Sequence, residues 1–294
     1  MAATLAAAPA EAPAPRPARR FRRPSVLPGF GLSFGYTLAC LGIVVLLPLA
    51  GLVVKASGLG FSGILRVATD PRVASALKLS FGVSLLSALV ASVFGFLIAW
   101  VLTRYEFPGR KIVDAAVDLP FALPTAVAGI ALASLYAPDG LIGAPLDRLG
   151  IQVAYTPLGV FVAMTFVGLP FAVRTVQPLI AEIDREIEEA SATLGASRRA
   201  TLLKVVLPPL IPAVLTGFAL AFARGVGEYG SVIFIAGNLP YVSEIAPLLI
   251  VIKLSEFDYG GAAAIATIML GISFLTLLAI NLIQAWSRRR FGYV

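Results

Sequence analysis

The sequence contains no histidine, a single cysteine and few charged residues, and each scarcity excludes a class of protein. Without histidine, the chain cannot build a His-based catalytic triad or a His metal site. The lone cysteine, Cys40, excludes an internal disulfide and a thiolate metal centre. Only 13% of the 294 residues are charged, against roughly 25% in soluble domains. An ordinary soluble enzyme is therefore excluded.

Apolar residues make up 59% of the chain and are gathered into long uncharged stretches. A helix needs about 20 such residues to cross the hydrocarbon layer of a membrane. Five stretches are long enough, and a sixth, with charges towards one end, begins near Pro209. The five are residues 24–54, 79–103, 119–138, 149–173 and 259–287. The sequence therefore predicts an all-α, multi-pass protein with about six transmembrane helices in the lipid bilayer.

The distribution of basic residues predicts the orientation of the chain. The net charge of +7 is spread along the sequence rather than gathered into a patch with aromatic residues, which argues against nucleic acid as a partner. If the N-terminus lies inside, the inner segments carry fifteen Lys and Arg and the outer segments six. Because cytoplasmic segments are enriched in these residues, both termini are predicted to be cytoplasmic.

Composition also divides the chain into segments. Residues 1–31, rich in Ala, Pro and Arg, are predicted to be a disordered cytoplasmic tail. Residues 32–74 would hold the first span and an outer loop, 75–287 the core of the remaining spans, and 288–294 the cytoplasmic C-terminus. An uncleaved first span is favoured over a signal peptide, because its apolar run is long and no convincing small-residue cleavage site follows it.

Small residues recur every four positions in the second stretch, at Ser80, Ser84, Ala88 and Ser92. Small side chains allow helix backbones to approach one another closely. This helix is therefore predicted to lie between other helices rather than against lipid.

The longest predicted cytoplasmic loop between spans, residues 181–208, has the pattern of a helical hairpin. One helix face would carry the apolar residues Ile183, Ile187, Ala190 and Leu194. Gly195 would end this first helix in a left-handed turn, and a second helix over 198–207 would lead back into the membrane. The apolar stripe could dock in a groove on a soluble partner or pack on the ends of the other spans.

The loop resembles the motif of ABC importer membrane subunits: Glu-Ala-Ala, three residues, Gly, nine residues, Ile, one residue, Leu-Pro. Every spacing is kept, although Ser replaces the second Ala and Val replaces Ile. The matching residues are Glu189, Ala190, Ser191, Gly195, Val205, Leu207 and Pro208. The resemblance implies that these residues, with Glu188 and Leu194, dock with an ATPase subunit.

No phosphate-binding loop of the Walker type exists in the chain, because no Lys is preceded by Gly or followed by Ser or Thr. ATP and Mg are therefore expected on a separate ATPase subunit. We expect this chain to bind no cofactor and to be a transport subunit rather than an enzyme.

A closer resemblance, over roughly residues 26–290, is to the T-type (CysT) permease family of sulfate/thiosulfate importers. It rests on LTRYEFPGR (102–110), DLPFALPTAVAG (118–129), PFAVRTVQP (170–178), GEYGSVIFIAGN (227–238) and EFDY (256–259). It implies the type I ABC importer permease fold and ATP-driven sulfate or thiosulfate import across the bacterial inner membrane. The implied partners are two copies of an ATPase subunit, a homologous W-type permease subunit and an extracytoplasmic sulfate-binding protein.

Two other interpretations remain open at the level of sequence. Molybdate or tungstate permeases share some of these segments, especially the Gly-Glu-aromatic-Gly element. In a different class, the chain could be a membrane scaffold or an intramembrane enzyme, although it has no intramembrane His or paired Asp. Copurification with an ATPase subunit would separate transport from this second class.

Charged and polar groups within the spans are candidates for an anion path, because a charge at membrane depth is costly unless paired or hydrated. Arg224 and Glu228 are four residues apart and could form either a structural pair or a gate. Arg174 is expected to reach water at the end of its span. The candidates for the anion path or gate are Arg224, Glu228, Tyr229, Ser231, Thr125 and Asn238. No metal site is predicted.

Overall fold

The computed structural model describes residues 29–291, the last four by their backbone only. All regular elements within these residues are helical, which confirms the all-α class. Residues 1–28 of the predicted tail and residues 292–294 of the predicted C-terminus lie outside the described residues. The chain divides into two compact units, one ending at Leu49 and the other starting at Ala50.

Fifteen α-helices are present in the described part of the chain, and two π-helical turns, Gly42–Leu46 and Leu202–Val206, join α1 to α2 and α11 to α12. In chain order the helices are α1 (Phe30–Leu41), α2 (Leu47–Ser57), α3 (Gly60–Thr69), α4 (Pro71–Arg104), α5 (Arg110–Val117), α6 (Leu119–Ala122), α7 (Thr125–Tyr136), α8 (Gly143–Asp147), α9 (Pro157–Glu182), α10 (Arg185–Thr193), α11 (Arg198–Thr201), α12 (Leu207–Val226), α13 (Val232–Ile235), α14 (Ala246–Ser255) and α15 (Tyr259–Phe291).

Five helical stretches among these residues are long and apolar enough to cross a membrane. They are Phe30–Ser57, Pro71–Arg104, Pro157–Glu182, Arg198–Val226 and Tyr259–Ser287. The first begins at Phe30, two residues before the predicted start. The fourth confirms the span expected near Pro209. Residues 119–138, which the sequence predicts as a further span, contain the shorter apolar helix Thr125–Tyr136 instead of one long helix.

The second span begins about two turns before the uncharged stretch that predicted it. The side chain of Asp70 accepts hydrogen bonds from the amides of Arg72 and Val73 at 2.9 and 3.1 Å, and Pro71 occupies the first helical position. An acidic cap followed by proline is a typical start of a helix. The charges of Arg72 and Lys78 conceal these first turns when spans are located by uncharged runs alone.

Helices α4, α9 and α12 form the centre of the second unit, and small residues bring them together. Ser80, Ser84 and Ala88 of α4 are buried, as the four-residue spacing predicts. A Cβ atom on Gly95 of α4 would lie 2.7 Å from the Cβ of Ala172 in α9, which is closer than van der Waals contact. The prediction that this helix lies between others is therefore confirmed.

The contacts between α4 and α9 show that the two helices run in the same direction. Near their starts Ser84 Oγ donates to Met164 Sδ at 3.4 Å, and at their ends Arg104 Nη2 donates to the carbonyl of Ile183 at 3.0 Å. Helix α12 runs in the opposite direction, since its C-terminal Gly225 packs on Ser84. We call the end of the bundle at Arg104 and Ile183 the hairpin end.

Because α4 and α9 are parallel, the chain between them must return across the bundle, and it does so with an interruption. Helix α6 ends at Ala122, Leu123 and Pro124 have extended backbones, and α7 starts at Thr125. Proline has no amide hydrogen and disfavours a helical residue before it, which explains the break at this position. The stretch 119–138, predicted as a span, is therefore interrupted at Pro124.

The last three helices complete the second unit. Helix α12 stops at Val226, and the short α13 follows after a non-helical segment. At the other end of the bundle from the hairpin end, Arg72 donates two hydrogen bonds to Glu244, at 2.8 and 2.7 Å, and the amide of Ala246 donates to Ser80 Oγ at 2.8 Å. Helix α15 packs on α12, where Gln284 Nε2 donates to a backbone carbonyl at 3.0 Å.

Candidate functional sites: a hairpin and two helix breaks

Residues 183–208 form the predicted helical hairpin. Gly195 follows α10 with a φ of +81°, a left-handed conformation that glycine adopts readily. The amide of Ala196 donates to the carbonyl of Ser191 at 3.1 Å, and the amide of Gly195 donates to the carbonyl of Ala192 at 3.0 Å. These are the hydrogen bonds of a helix that ends in a left-handed residue. The predicted turn is therefore confirmed.

The apolar stripe of α10 is largely exposed. Ile187 is 49% exposed and Leu194 is 88% exposed, and Ala190 between them is also exposed. Ile183 does not share this face, because α10 starts only at Arg185. It is half-buried and packs on a core cluster instead. The stripe without Ile183 is thus open to a partner rather than packed on the ends of the spans.

Two of the predicted docking residues, Ser191 and Glu188, make internal contacts of the chain. Ser191 is buried, and its hydroxyl lies 2.8 Å from that of Thr201, so that one hydrogen bond joins the two arms. Glu188 is half-buried and forms an ion pair with Arg104 Nη2 at 2.9 Å. The hairpin is therefore tied both to itself and to the end of α4.

The remaining motif residues lie on the surface or at the base of the hairpin. Glu189 is exposed beside the apolar stripe. Val205, Leu207 and Pro208 are half-buried where the π-helical turn joins α12. The motif thus combines an exposed face with a base that continues directly into a transmembrane helix.

Sequence reasoning missed Arg104. Its guanidinium contacts Glu188 and the Ile183 carbonyl and lies 5.5 Å from the ring centroid of Trp100, a cation–π distance. The contact with Glu188 joins residues 84 positions apart, so no local pattern could reveal it. The spacing of Trp100 and Arg104, one helical turn, is the only local signal.

The second candidate site lies where two interrupted helices meet. Thr125 begins α7 after the break at Pro124, and Gly230 lies in the non-helical segment between α12 and α13. A Cβ atom on Gly230 would overlap the side chain of Thr125, and a Cβ on Gly129 would lie 2.7 Å from the Cα of Ser231. The structure therefore brings together Thr125 and Ser231, which the sequence predicted separately.

Arg224 and Glu228 form the predicted pair at this break. Arg224 Nη1 contacts Glu228 Oε2, and Glu228 Oε1 accepts hydrogen bonds from the amide and the hydroxyl of Ser231, both at 2.8 Å. The Glu228 side chain is 1% exposed, whereas that of Arg224 is 32% exposed. The buried carboxylate is thus satisfied on both oxygens, and the arginine keeps an open side.

Tyr229 and Asn238 are the last two residues predicted to line the anion path. Tyr229 is half-buried and packs on a core cluster that includes Val232 and Ile245. Asn238 has a φ of +55°, and its Nδ2 donates to the carbonyl of Ile233 at 2.8 Å. This bond gives Asn238 a role in closing the turn after α13. Participation of either residue in an anion path stays a prediction.

Arg174 is partly exposed, as expected, but it also binds two carboxylates that the sequence did not predict as partners. Its guanidinium donates to both carboxylate oxygens of Asp118, at 2.8 and 2.7 Å, and to Asp114 Oδ1 at 2.6 Å. These bonds tie the segment around α5 to α9. The hydrogen bond from Arg174 lowers the pKa of Asp114, so the tie is intact at neutral pH and is lost only as the pH falls through that lowered pKa.

Within the described residues, no group of three or more Cys, Asp or Glu side chains is arranged to hold a metal ion. The two candidate sites are therefore a surface that can receive a protein partner and a polar break inside a transmembrane bundle. Polar groups at interrupted helices near the membrane midplane are typical of transporters.

The chain belongs to the family of binding-protein-dependent transport system inner membrane components, whose model matches residues 91–293. The match includes α9, the hairpin and both helix breaks. The chain is thus a multi-pass membrane transport subunit and not an enzyme. Membership of this family implies that it works with an ATPase and a substrate-binding protein.

Relatives and solved structures agree with this class. The sulfate transport system permease protein CysT of Escherichia coli (strain K12) is 51% identical over 273 residues, which cover 91% of this chain and 97% of that protein. The probable sulfate transport system permease protein cysT of Nephroselmis olivacea is 51% identical over 260 residues, covering 88% and 92%.

A chain of the bacterial alginate ABC transporter, solved in complex with an alginate pentasaccharide-bound periplasmic protein, superposes with a TM-score of 0.71. It is 18% identical to this chain, and the match covers 90% of this chain and 95% of that one. At this identity the likeness concerns the fold alone. The fold is that of the type I ABC importer permeases.

Proposed function

We propose that the chain is the permease subunit of an ATP-driven importer that moves sulfate across the inner membrane. The observation that carries this proposal is the 51% identity, over nearly the whole length of both chains, to relatives named as sulfate transport permeases. Thiosulfate, a tetrahedral dianion of similar size, would use the same path.

The hairpin would be the docking site for the ATPase. Its face of Ile187, Ala190 and Leu194 is exposed, and an amphipathic helix of this kind inserts its apolar face into a groove of the partner. Because α11 continues through the π-helical turn into α12, movement of the docked hairpin would be passed directly into the bundle. ATP and Mg would be bound entirely by the ATPase.

The assembly we infer contains two copies of the ATPase, a homologous W-type permease subunit and an extracytoplasmic sulfate-binding protein. The hairpin end would face the cytoplasm, and the charge distribution along the sequence assigns both termini to the cytoplasmic side of the membrane. The excess of Lys and Arg in the segments assigned to that side supports this orientation. The binding protein would then approach the opposite end of the bundle.

The meeting point of the two broken helices would lie on the anion path. The first amides of α7 at Thr125 have no acceptor within their own helix, and the positive end of its dipole points into the break. The hydroxyl of Thr125 and the partly exposed Arg224 complete a set of donors that suits an oxyanion. Separation of α7 from α13 would open this point during alternating access.

The experiment that tests the function is uptake by the purified complex in lipid vesicles. We expect sulfate uptake that requires ATP and the sulfate-loaded binding protein, with weak competition by molybdate. If a molybdate- or tungstate-loaded binding protein stimulated the ATPase more strongly, molybdate or tungstate would be the substrate instead of sulfate. Purification without any ATPase subunit would contradict transport altogether.

Replacement of Arg224 separates a structural pair from an element of the path. Arg224→Gln leaves the buried carboxylate of Glu228 without its cation, so we expect lower thermal stability of the complex and slower uptake. In the double variant Arg224→Gln/Glu228→Gln, stability should return because no buried charge remains unpaired. Uptake by the double variant should stay at least about tenfold below wild type, the equivalent of about 1.4 kcal/mol.

The double variant is the decisive control. If it assembles normally and takes up sulfate at the wild-type rate, Arg224 is only a structural partner of Glu228 and has no role on the path. The same conclusion holds if Arg224→Gln alone leaves uptake unchanged.

A further inference from the structure

The polar contacts between the end of α4 and the hairpin are made by a single side chain. Arg104, the last residue of α4, donates from Nη2 to the carbonyl of Ile183 at 3.0 Å and pairs with Glu188 Oε1 at 2.9 Å. Within residues 29–287, no other hydrogen bond or ion pair joins α4 to residues 183–208. Arg104 therefore connects the ends of α4 and α9 with the first arm of the hairpin.

Packing between α4 and the hairpin is otherwise incomplete. A cavity of about 440 Å³ lies between them, lined by Trp100 and Tyr105 on one side and by Glu189, Ala196 and Arg198 on the other. A cavity of this size means that apolar contact alone does not fix the hairpin against α4. Ala99 and Leu102 of α4 share a core cluster with Val206 at the base of the hairpin, whereas the first arm is joined to α4 by the polar contacts of Arg104.

The geometry holds Arg104 in place for this role. Its side chain is 10% exposed and lies over the ring of Trp100, 5.5 Å from the centroid. Both contacts are made by a single nitrogen, Nη2, and the guanidinium keeps its charge at any physiological pH. Because the charged group is largely removed from water, its pairing is stronger than that of an exposed pair.

The covalent connections show what such a contact adds. The hairpin follows α9 and leads into α12, so both of these helices are pulled directly when the hairpin moves. Helix α4, which packs against both, has no covalent link to the hairpin. A contact from the hairpin to α4 therefore adds a direct route to the indirect one through the packing of α4 on α9 and α12.

We propose that Arg104 is a positioning residue that transmits the movement of the hairpin to α4. This inference rests on the proposed docking of the hairpin with the ATPase. Arg104 does not contact the ATPase or the transported anion in this scheme. It makes the central helices respond as one body when the hairpin is displaced.

The test measures sulfate transported per ATP hydrolysed by the complete complex in vesicles. In Arg104→Ala we expect normal copurification of the ATPase and continued ATP hydrolysis, with the ratio of sulfate to ATP about tenfold lower, a typical size for coupling between two sites. Arg104→Lys should keep part of the ratio. The charge exchange Arg104→Glu/Glu188→Arg should recover more of it than either single change.

Lys111→Ala is the matched control, because Lys111 is an exposed cation on nearby α5 and makes no ion pair among the described residues. Its ratio should equal that of wild type. If Arg104→Ala does not assemble, Glu188→Gln provides the same test, since it removes the charge and leaves the side chain nearly unchanged in size.

An unchanged ratio in Arg104→Ala or Glu188→Gln would overturn the role of Arg104. An equal loss in Lys111→Ala would overturn it too, because the effect would then follow from charge at this end in general. Failure of the wild-type complex to couple ATP hydrolysis to uptake would instead overturn the proposed function, so the two failures are distinguishable.

Discussion

Gly195→Val is expected to uncouple ATP hydrolysis from sulfate transport. The residue has a φ of +81°, and a side chain in the left-handed region costs about 1–2 kcal/mol, with β-branched residues at the upper end. The turn at Gly195 sets the direction of α11 relative to α10 and presents Leu194 to a partner. We therefore expect at least a tenfold loss of uptake, measured in vesicles with the binding protein and ATP present.

Asparagine at the same position is the appropriate control, because it adopts the left-handed conformation more readily than a β-branched residue such as valine. Gly195→Asn should keep most of the uptake, whereas Gly195→Val should not. Normal ATPase stimulation by the loaded binding protein in Gly195→Val, with normal uptake, would contradict the role of the hairpin in coupling.

Gly129→Ala should disrupt the meeting point of the two broken helices. The added Cβ would lie 2.7 Å from the Cα and 2.9 Å from the carbonyl carbon of Ser231, which are backbone atoms that cannot turn aside. Overpacking in a well-packed core costs about 1–3 kcal/mol. Since Ser231 also holds Glu228 with two hydrogen bonds, we expect a lower unfolding temperature of the complex together with a severe loss of uptake.

Gly271→Ala is the matched substitution, since Gly271 lies inside α15 and an added Cβ would meet no neighbouring side chain or helix within 4 Å. Alanine favours a helix over glycine by about 1 kcal/mol, so this variant should be as stable as wild type or slightly more stable. Equal thermal stability of Gly129→Ala and wild type would show that the packing at the break is looser than the structure indicates.

Local patterns predicted those parts of the molecule whose cause is local. The buried stripe of Ser80, Ser84 and Ala88 follows from spacing alone, and the turn at Gly195 follows from one residue type at the end of an amphipathic pattern. The pairing of Arg224 with Glu228 likewise needs only one turn of helix. In each case the residues that decide the structure lie within a few positions of one another.

Contacts between distant segments could not be predicted in this way. The tie of Arg174 to Asp114 and Asp118 and that of Arg104 to Glu188 depend on which helices become neighbours, and sequence spacing contains no such information. Arg174 was therefore expected only to reach water, whereas in the structure it also binds two carboxylates.

The effect of a proline on a helix also cannot be predicted from local sequence alone. Pro170 and Pro212 lie within continuous helices, whereas the chain breaks at Pro124. A proline removes one helical hydrogen bond wherever it lies, and its surroundings decide whether the helix continues. The surroundings of Pro124 include the glycine-rich segment after α12, more than a hundred residues further along the chain.

The interruption at Pro124 also bears on how the protein is made. Helix α7, about 18 Å long, is too short to cross the hydrocarbon layer alone. Its neighbours α9 and α13 emerge from the ribosome only afterwards. We therefore expect this segment to integrate stably only after α9 and α13 have been made, so that the crossings settle in the bilayer in an order that differs from the order of translation.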